Sequence, residues 1–372
     1  MTATRLARRQ TRLQPYRRIT NPPQIENLPY MAGAKNNRPM KHRVLTLFLI
    51  FALAPAAKPD AKPPEKQPEM SRAEGSVDAM GSAFTVVAYG KDRDLLQSAV
   101  ESALEEARRL DQLLSNYKPE SEWSQVNREA ANHPVHVSPE LFQLLSACVN
   151  YSRESDGAFD ITVGPLMKVW GFYKDSGHLP HRAEVLGALS QTGYKGLLLD
   201  PQNQTVKFAR HGMEMDPGGI GKGYAVDKMA EVLEQDGITS ALVSGGGSSI
   251  FAIGAPPQDS KGWVINIKNP RNTSKTVATA YLKDESLSTS GNYEKFFYAE
   301  GRLWSHIMDP RTGYPSTGML SVSVITPKTI DSEAWCKPYY ILGRDWTLKH
   351  KPKNFRVFMC EDRSDVPCAW LQ

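Results

Sequence analysis

A glycine-rich segment carries the residues best suited to hold an anion. It has the sequence Asp216-Pro217-Gly218-Gly219-Ile220-Gly221-Lys222-Gly223 and lies between a predicted strand and a predicted helix. Glycines let backbone N–H groups approach a phosphate closely, and the helix N-terminus adds a favourable dipole. Lys222 adds a mobile cation. The glycine spacing fits neither the P-loop nor the dinucleotide fingerprint, so an ordinary tight turn stays an alternative at this point.

Two further segments have the composition of binding loops. Three consecutive glycines lie within residues 244–249, after a predicted strand, where they suit either a closely approaching ligand or backbone or a flexible surface loop. Residues 288–293 lead into a predicted hairpin, which is followed by His306, Asp309 and a turn rich in proline and glycine. A lone histidine is more often structural than catalytic, so His306 predicts chemistry only in combination with the other segments.

The elements that position these segments are a few long helices mixed with many strands. The spacing of apolar residues predicts a helix over 92–114, and Ser138 followed by Pro139 predicts the start of a second helix. A third helix is predicted over 224–235. Strands are predicted over 82–89, 241–253, 263–268 and 321–325, with a strand pair around 197–208 and a hairpin over 294–306 that turns at Glu300-Gly301. This mixture predicts an α+β fold in one interwoven domain.

The front of the chain differs in composition from the rest. Residues 1–43 carry ten Lys or Arg against the single acid Glu26, whereas the formal net charge of the whole chain is only +5. The remainder is therefore mildly acidic, which argues against a nucleic-acid-binding face. The basic cap Lys41-His42-Arg43 and a short apolar run predict a secretory signal peptide within residues 1–57, with Met40 as an alternative start. We expect an exported protein, periplasmic or associated with the inner membrane.

The segment after the signal peptide is rich in proline, lysine and glutamate. It predicts an extended linker over 58–75, a folded domain over 76–372 and ordered structure from about Met80. Four cysteines fit an oxidising compartment. Cys360 and Cys368 are close enough in sequence to pair. Cys148 lies on the apolar side of a predicted helix and is expected to be a buried, inert thiol.

Taken together, these segments resemble the ApbE family, the FAD:protein FMN transferases, over residues 80–343. The motifs that carry the resemblance agree in order and spacing. They are Met80-Gly81-Ser82, Leu114-Ser115-Asn116-Tyr117 with Ser121 and Asn127, Gly157-Ala158-Phe159-Asp160 with residues 162–166 and Trp170-Gly171-Phe172, the 216–223 segment, Thr289-Ser290-Gly291 and residues 306–315. The resemblance implies a T-fold-like core of mixed and antiparallel sheets with flanking helices.

The resemblance also implies an FAD pocket. Met80 and Tyr117 would flank the flavin or adenine ring. Further FAD contacts would come from Ala158, Phe159, Asp160, Asp216, Lys222, Ile307 and Cys336. The family uses a divalent ion, usually Mg²⁺, on the pyrophosphate, bound by a carbonyl that corresponds to Gly219 and by an Ala-Asp-x-x-x-Thr helix. Oxygen ligands suit such an ion, because it neutralises charge at the phosphoanhydride.

This chain departs from the family in that helix. The matching residues are Ser332-Glu333-Ala334-Trp335-Cys336-Lys337, which place Glu333 and Lys337 at the two ligand positions. Glu333 can bind Mg²⁺, but a protonated lysine has no lone pair to donate. Lys337 either replaces part of the metal's charge, marks a degraded metal site in a flavin-binding protein, or points to solvent. Pro338 is expected to kink the helix.

The activity implied by the resemblance is FMN transfer. A Thr or Ser hydroxyl of an acceptor flavoprotein would attack the FMN-side phosphorus of FAD and release AMP. His306 is the implied base and Asp309 a weaker candidate, while Lys222, Mg²⁺ and Lys337 would hold the developing charge. Two alternatives are a pyrophosphatase that cleaves FAD with water and a non-catalytic FAD-binding protein.

Overall fold

The computed structural model describes residues 70–174 and 177–372. All of these residues belong to one compact unit. The predicted signal peptide over 1–57, the alternative start at Met40 and residues 58–69 of the predicted linker lie outside the described residues. None of the described helices is long and apolar enough to cross a bilayer.

Helices and strands are mixed along the chain. The described helices are α1 (Arg93–Leu114), α2 (Glu122–Glu129), α3 (Pro139–Glu154), α4 (Gly164–Val169), α5 (Arg182–Ser190), α6 (Gly221–Gln235) and α7 (Thr329–His350). The described strands are β1 (Ser71–Ala79), β2 (Ser82–Gly90), β3 (Val135–His136), β4 (Leu197–Asp200), β5 (Thr205–Phe208), β6 (Ala241–Gly245), β7 (Ser249–Ile253), β8 (Trp263–Asn269), β9 (Asn272–Leu282), β10 (Glu285–Gly291), β11 (Phe296–Ala299), β12 (Arg302–Ser305), β13 (Met308–Asp309), β14 (Tyr314–Pro315), β15 (Met319–Thr326), β16 (Arg356–Glu361) and β17 (Ala369–Trp370).

The main sheet is antiparallel and has eight strands in the order β1-β2-β6-β7-β10-β15-β16-β17. Side chains of a strand alternate between the two faces of a sheet. Phe84, Val86 and Ala88 of β2 therefore contact α1 and α6, whereas Val87 and Tyr89 contact the β8–β9 hairpin. Helix α7 covers β15 and β16 at the other end. The predicted α+β fold with antiparallel sheets and flanking helices is confirmed.

Helix α1 shows how local sequence determines these contacts. The Asp92 carboxylate accepts hydrogen bonds from the Asp94 and Leu95 amides, 3.0 and 3.1 Å away, and so caps the helix. The buried residues of the helix recur every three or four positions, as expected for one face. Gly75 of β1 faces Leu104, and a Cβ there would lie only 2.7 Å from the Leu104 side chain. Glycine therefore permits the close contact between strand and helix.

The ordered structure begins earlier than the sequence indicates. Strand β1 starts at Ser71, so residues 71–75 of the predicted linker belong to the edge of the sheet and not to a linker. The charged residues Arg72 and Glu74 lie on the more exposed side of this strand, and Ala73 is buried. An edge strand with one polar face and small inward residues has too little apolar character to predict a strand from composition.

Two predictions for the C-terminal half of the chain are revised. The predicted 241–253 strand is a hairpin of β6 and β7, in which Gly246 and Gly247 have φ values of 62° and 69°. Helix α7 continues through Pro338 and is interrupted at Gly343, where φ is 76°. Gly343 takes a backbone conformation that other residues rarely adopt, which explains why the break occurs there.

The cysteine predictions are confirmed. Cys360 on β16 and Cys368 form a disulfide with Cα atoms 4.2 Å apart. Cys148 is a buried free thiol on α3. Its pKa is raised, because burial disfavours the thiolate.

Candidate active site

The glycine-rich segment forms a turn that leads directly into α6. The Gly221 and Ile220 amides donate to the Pro217 carbonyl at 2.8 and 3.0 Å. Ile220 provides no side-chain cap for the helix, and α6 begins three residues earlier than predicted. A Cβ at Gly219 would be in van der Waals contact with the Phe159 and Lys337 side chains, 3.5 and 3.6 Å away. The turn is therefore bordered by two residues of the predicted pocket.

Met80 approaches this turn from the sheet. It occupies the two-residue connection between β1 and β2 with Gly81, and both residues have positive φ, 49° and 68°. Such a conformation suits a tight hairpin turn but is strained for methionine. The Met80 amide is held by Asp111 at 2.9 Å, and the Met80 sulfur lies 3.6 Å from the Cβ position of Gly221. Met80 therefore borders the glycine turn, and its predicted ring contact stays a prediction.

Lys222 lies between the glycine turn and the β6–β7 hairpin. Its ammonium group donates to the Ser248 hydroxyl at 2.7 Å, and its Cδ lies 3.7 Å from the Cβ position of Gly246. The Gly246 amide also donates to the Ala83 carbonyl at 2.9 Å. The three consecutive glycines therefore lie in a tight turn that packs against β2.

Asp216 is the centre of a hydrogen-bond network that sequence reasoning missed in part. Its carboxylate accepts from the Gly218 amide at 2.8 Å, from the Tyr173 hydroxyl at 2.7 Å and from the Asn116 amide at 3.3 Å. Burial raises the Asp216 pKa, and these donors oppose that shift. The Tyr117 ring is exposed and meets the Tyr173 ring edge-on, with centroids 6.2 Å apart.

Tyr173 follows the Trp170-Gly171-Phe172 motif by one residue, and that position is the only signal that could have identified it. Burial raises its pKa, so it stays a protonated donor to Asp216. The network therefore positions the turn that begins at Asp216 and connects it to the exposed Tyr117 ring.

His306 is oriented by a backbone carbonyl. Its Nδ1 lies 3.1 Å from the Lys295 oxygen, which can only accept, so Nδ1 carries the proton and Nε2 keeps its lone pair. Burial lowers the His306 pKa to about 3, and the charges of Lys295, Lys222 and Lys337 act in the same direction. His306 is therefore neutral near pH 7, as a base must be, and it lies close enough to three lysines to feel their charge.

Asp309 is not positioned to act as a base. Both carboxylate oxygens accept from the Arg311 guanidinium, at 2.9 and 2.8 Å, and one also accepts from the Arg311 amide at 3.0 Å. Both oxygens of this carboxylate are therefore engaged by the planar guanidinium group and directed away from a substrate hydroxyl. Asp309 therefore fixes the turn after His306, and the weaker of the two base candidates loses its support.

The predicted FAD contacts at 158–160 divide into two kinds. Asp160 accepts from the amide and hydroxyl of Thr162 and from the Tyr194 amide, each at 2.7 Å, so its carboxylate points into the protein. Ala158 and Phe159 are also buried. The Phe159 ring edge lies 3.5 Å from the Cβ position of Gly219. Phe159 thus borders the glycine turn, whereas Asp160 positions the loop.

Helices α6 and α7 cap each other. The Asp227 carboxylate of α6 accepts from the Thr329 and Ile330 amides, at 2.7 and 2.9 Å, where α7 begins. In return, the Glu333 carboxylate of α7 accepts from the Gly223 amide in the first turn of α6. Each carboxylate satisfies amides that have no partner within their own helix. This reciprocal capping assigns Glu333 a structural role that its sequence position did not reveal.

Lys337 lies one helical turn after Glu333 and faces the glycine turn. Its Cε lies 3.6 Å from the Cβ position of Gly219. Its ammonium group donates to the Glu333 carbonyl at 3.2 Å and lies 3.9 Å from the nearer Glu333 carboxylate oxygen. The side chain is 23% exposed, and burial lowers its pKa. The alternative of a solvated surface lysine does not fit this position.

The residues at the predicted metal position do not fit a divalent ion. Glu333 is committed to the Gly223 amide, and Lys337 brings a positive charge to the position of a predicted ligand. Of the predicted set, the Gly219 carbonyl and one Glu333 oxygen are left, and that oxygen lies 3.9 Å from the Lys337 ammonium nitrogen. Among residues 70–174 and 177–372, no group of three His, Cys, Asp or Glu side chains could hold a metal ion. The predicted Mg²⁺ set of Gly219, Glu333 and Lys337 is therefore corrected.

Two predicted FAD contacts are buried in the core. Cys336 is fully buried, and its sulfur lies 3.1 Å from the Ser288 carbonyl of β10. Burial raises its pKa to about 12. Glu333 and Lys337 share one face of α7, because residues four apart are neighbours on a helix, whereas Cys336 faces the sheet. The Cys336 side chain therefore lies in the core, which corrects its predicted contact with FAD. Ile307 is also 95% buried, in the same core cluster.

Comparison with known proteins identifies the family. The model of the ApbE family matches residues 80–358. The chain belongs to the ApbE family. A curated relative from Klebsiella pneumoniae, named FAD:protein FMN transferase, is 32% identical over 294 residues, which cover 77% of this chain and 89% of the relative.

Solved structures of the ApbE family share the fold. The ApbE protein of Thermotoga maritima has a TM-score of 0.72 at 30% identity, and the match covers 79% of this chain and 97% of that protein. The apo form of the Pseudomonas stutzeri flavinyl transferase ApbE has a TM-score of 0.69 at 28% identity, with 81% and 94% covered. Every predicted site residue lies within the ApbE match, whereas the Cys360–Cys368 disulfide lies beyond it.

Proposed function

We propose that this chain moves FMN from FAD to a Thr or Ser hydroxyl of an acceptor protein and releases AMP. The observation that carries the proposal is the pair of lysines at the glycine turn: Lys222 lies within it, and the Lys337 Cε lies 3.6 Å from the Cβ position of Gly219. The names of the ApbE relatives, FAD:protein FMN transferase and flavinyl transferase, support the same reaction.

The surroundings of the glycine turn suit the pyrophosphate of FAD. Lys222 and Lys337 both border the glycine turn and supply positive charge to a dianionic group. Met80 and the exposed Tyr117 ring provide apolar and aromatic surface for the flavin or the adenine. No step of this proposal uses a metal ion, because the residues at the predicted metal position do not fit one.

The reaction is a displacement at phosphorus. The acceptor hydroxyl forms a new P–O bond to the FMN-side phosphorus while the anhydride P–O bond breaks, and AMP leaves with the bridging oxygen. His306 accepts the hydroxyl proton at Nε2, since its Nδ1–H is held by the Lys295 carbonyl. The lysine ammonium groups stabilise the negative charge that develops on the phosphoryl oxygens.

AMP release distinguishes transfer from its two alternatives. Purified protein is mixed with FAD in the presence or absence of an acceptor protein that carries the target threonine. We expect AMP only when the acceptor is present. AMP without acceptor would mean a pyrophosphatase, and FAD binding with no AMP in either mixture would mean a flavin-binding protein. Either result would overturn the proposal.

We also propose that the protein is exported. The predicted signal peptide at residues 1–57 motivates this, and the Cys360–Cys368 disulfide supports it, since disulfides persist in oxidising compartments. We expect the intact mass of protein from an exported fraction to correspond to a chain that starts near residue 58 and has one disulfide. A cytoplasmic protein that still begins at Met1, with four free thiols, would contradict the proposal.

A further inference from the structure

We propose that the Lys337 ammonium group takes the place of a divalent cation at the pyrophosphate of FAD, so that this protein binds FAD and transfers FMN without a metal ion. The inference rests on the proposed function and concerns the same cleft. It assigns to Lys337 a direct contact with the phosphate oxygens, and it predicts that chelators leave this protein active.

The position of Lys337 carries the inference. Its Cε lies 3.6 Å from the Cβ position of Gly219, which places the end of the side chain against the anion-binding turn. The side chain is 23% exposed, so its ammonium group is largely removed from water but still accessible from the cleft. Its hydrogen bond in the structure goes to the Glu333 carbonyl, a neutral acceptor, at 3.2 Å. A partly desolvated ammonium group of this kind is stabilised by a nearby anion.

Glu333 does not neutralise this charge by a direct hydrogen bond. Its nearer carboxylate oxygen lies 3.9 Å from the Lys337 ammonium nitrogen, beyond hydrogen-bond range. The other oxygen accepts from the Gly223 amide and fixes the first turn of α6. A metal ion bound by the nearer Glu333 oxygen would lie next to the positive charge of the Lys337 ammonium group. This repulsion opposes metal binding.

The charges of the cleft match the ligand without a metal. Lys222 approaches from the other side of the turn, with its ammonium group held by Ser248 at 2.7 Å. A pyrophosphate diester carries two negative charges, and Lys222 and Lys337 supply two positive charges. The Asp216 carboxylate nearby is already occupied by Tyr173, Gly218 and Asn116. Two fixed ammonium groups can therefore balance the ligand.

FAD affinity tests the inference without any need for an acceptor. Titration of the purified protein by flavin fluorescence is done after EDTA treatment and again with added Mg²⁺. We expect the same Kd in both conditions. Lys337→Met keeps the length and the apolar stem of the side chain but removes the charge. It should raise the Kd by roughly tenfold or more, the effect of one lost charge-assisted hydrogen bond. Lys337→Arg should retain most of the affinity.

A matched control comes from helix α6, which packs against α7. The Lys228 side chain of α6 is 31% exposed and forms an ion pair with Glu231 at 2.7 Å, but it contacts Tyr224 and not the glycine turn. Lys228→Met should leave the Kd unchanged. Thermal melting curves of Lys337→Met, Lys337→Arg and Lys228→Met show whether each variant is folded. The Kd for FAD is compared only among variants whose Tm matches that of the parent protein.

The transfer reaction separates this inference from the proposed function. We expect equal FMN transfer in EDTA and in Mg²⁺, and a loss of about 10²-fold in Lys337→Met under both conditions. Transfer or FAD binding that requires Mg²⁺ would overturn the inference and leave the proposed function intact. Equal FAD affinity in folded Lys337→Met and parent protein would also overturn it. No transfer under either condition, with FAD bound, would overturn the proposed function itself.

Discussion

Replacing His306 with asparagine should lower kcat for FMN transfer by roughly 10²- to 10⁴-fold, the usual contribution of a general base. The asparagine amide can take the place of Nδ1–H and keep the hydrogen bond to the Lys295 carbonyl, while the lone pair of Nε2 is lost. FAD affinity should change little, because the cations of the cleft are retained. The kinetics are measured with saturating FAD and acceptor.

His350 provides the matched control for this substitution. Its Nδ1 also lies close to a backbone carbonyl, that of Trp346 at 2.8 Å, but it is exposed at the end of α7. His350→Asn should leave kcat unchanged. An equal loss in both variants, or full activity of His306→Asn, would show that His306 is not the base.

The pH dependence follows from the same histidine. The pKa of His306 is lowered from 6.5 to about 3, so the group is neutral, and able to accept a proton, at any pH well above 3. We therefore expect kcat/KM, which reports the free enzyme, to show no inflection near pH 6.5 from this residue. Bound pyrophosphate offsets the lysine charges and so raises the pKa of His306 in the enzyme–substrate complex. Because kcat reports this complex, the acidic limb of kcat should lie at higher pH than that of kcat/KM. Identical limbs would contradict this coupling.

Replacing Trp170 with alanine should lower the free energy of unfolding by about 3–5 kcal/mol, the usual cost of removing a fully buried tryptophan. Its ring contacts Phe297, Trp304 and Tyr314, with centroids 6.4, 5.1 and 5.6 Å away. Its indole N–H donates to the Gly313 carbonyl at 2.9 Å. The cavity would also leave that buried carbonyl without its donor. Chemical denaturation measures the effect.

Trp170 supports the elements on both sides of His306. Phe297 and Trp304 belong to the β11–β12 hairpin that precedes it, and Tyr314 follows it on β14. We therefore expect Trp170→Ala to lose transfer activity at denaturant concentrations lower than those at which the whole variant unfolds. Trp346→Ala, at a half-buried tryptophan near the end of α7, should cost less stability. An equal cost at both positions would contradict this account of the cluster.

Much of the fold could be predicted because local signals agree with tertiary contacts. Ser138 and Pro139 begin α3 as predicted, and the hairpin turns at Glu300-Gly301 as predicted. Strand β1 was missed, because its stability comes from pairing along all nine residues with β2 and not from its own composition. Pairing of this kind cannot be deduced from propensity alone.

The candidate site could be predicted in its segments but not in its contacts. The glycine turn forms between a strand and a helix as expected, with Lys222 in the first turn of α6. The capping role of Glu333, however, depends on how α6 and α7 cross, and the partners of Asp216 come from residues 43 and 100 positions away. The burial of Cys336 follows only when the orientation of α7 on the sheet is known. Long-range geometry decided each of these cases.

The ratio of covalent FMN to AMP tests the central claim most directly. Protein, FAD and acceptor are incubated, AMP is quantified by chromatography, and the acceptor is analysed by mass spectrometry for an FMN phosphoester on Thr or Ser. FMN transfer predicts one acceptor-bound FMN for each AMP released, with no free FMN. AMP accompanied by free FMN and an unmodified acceptor would contradict it.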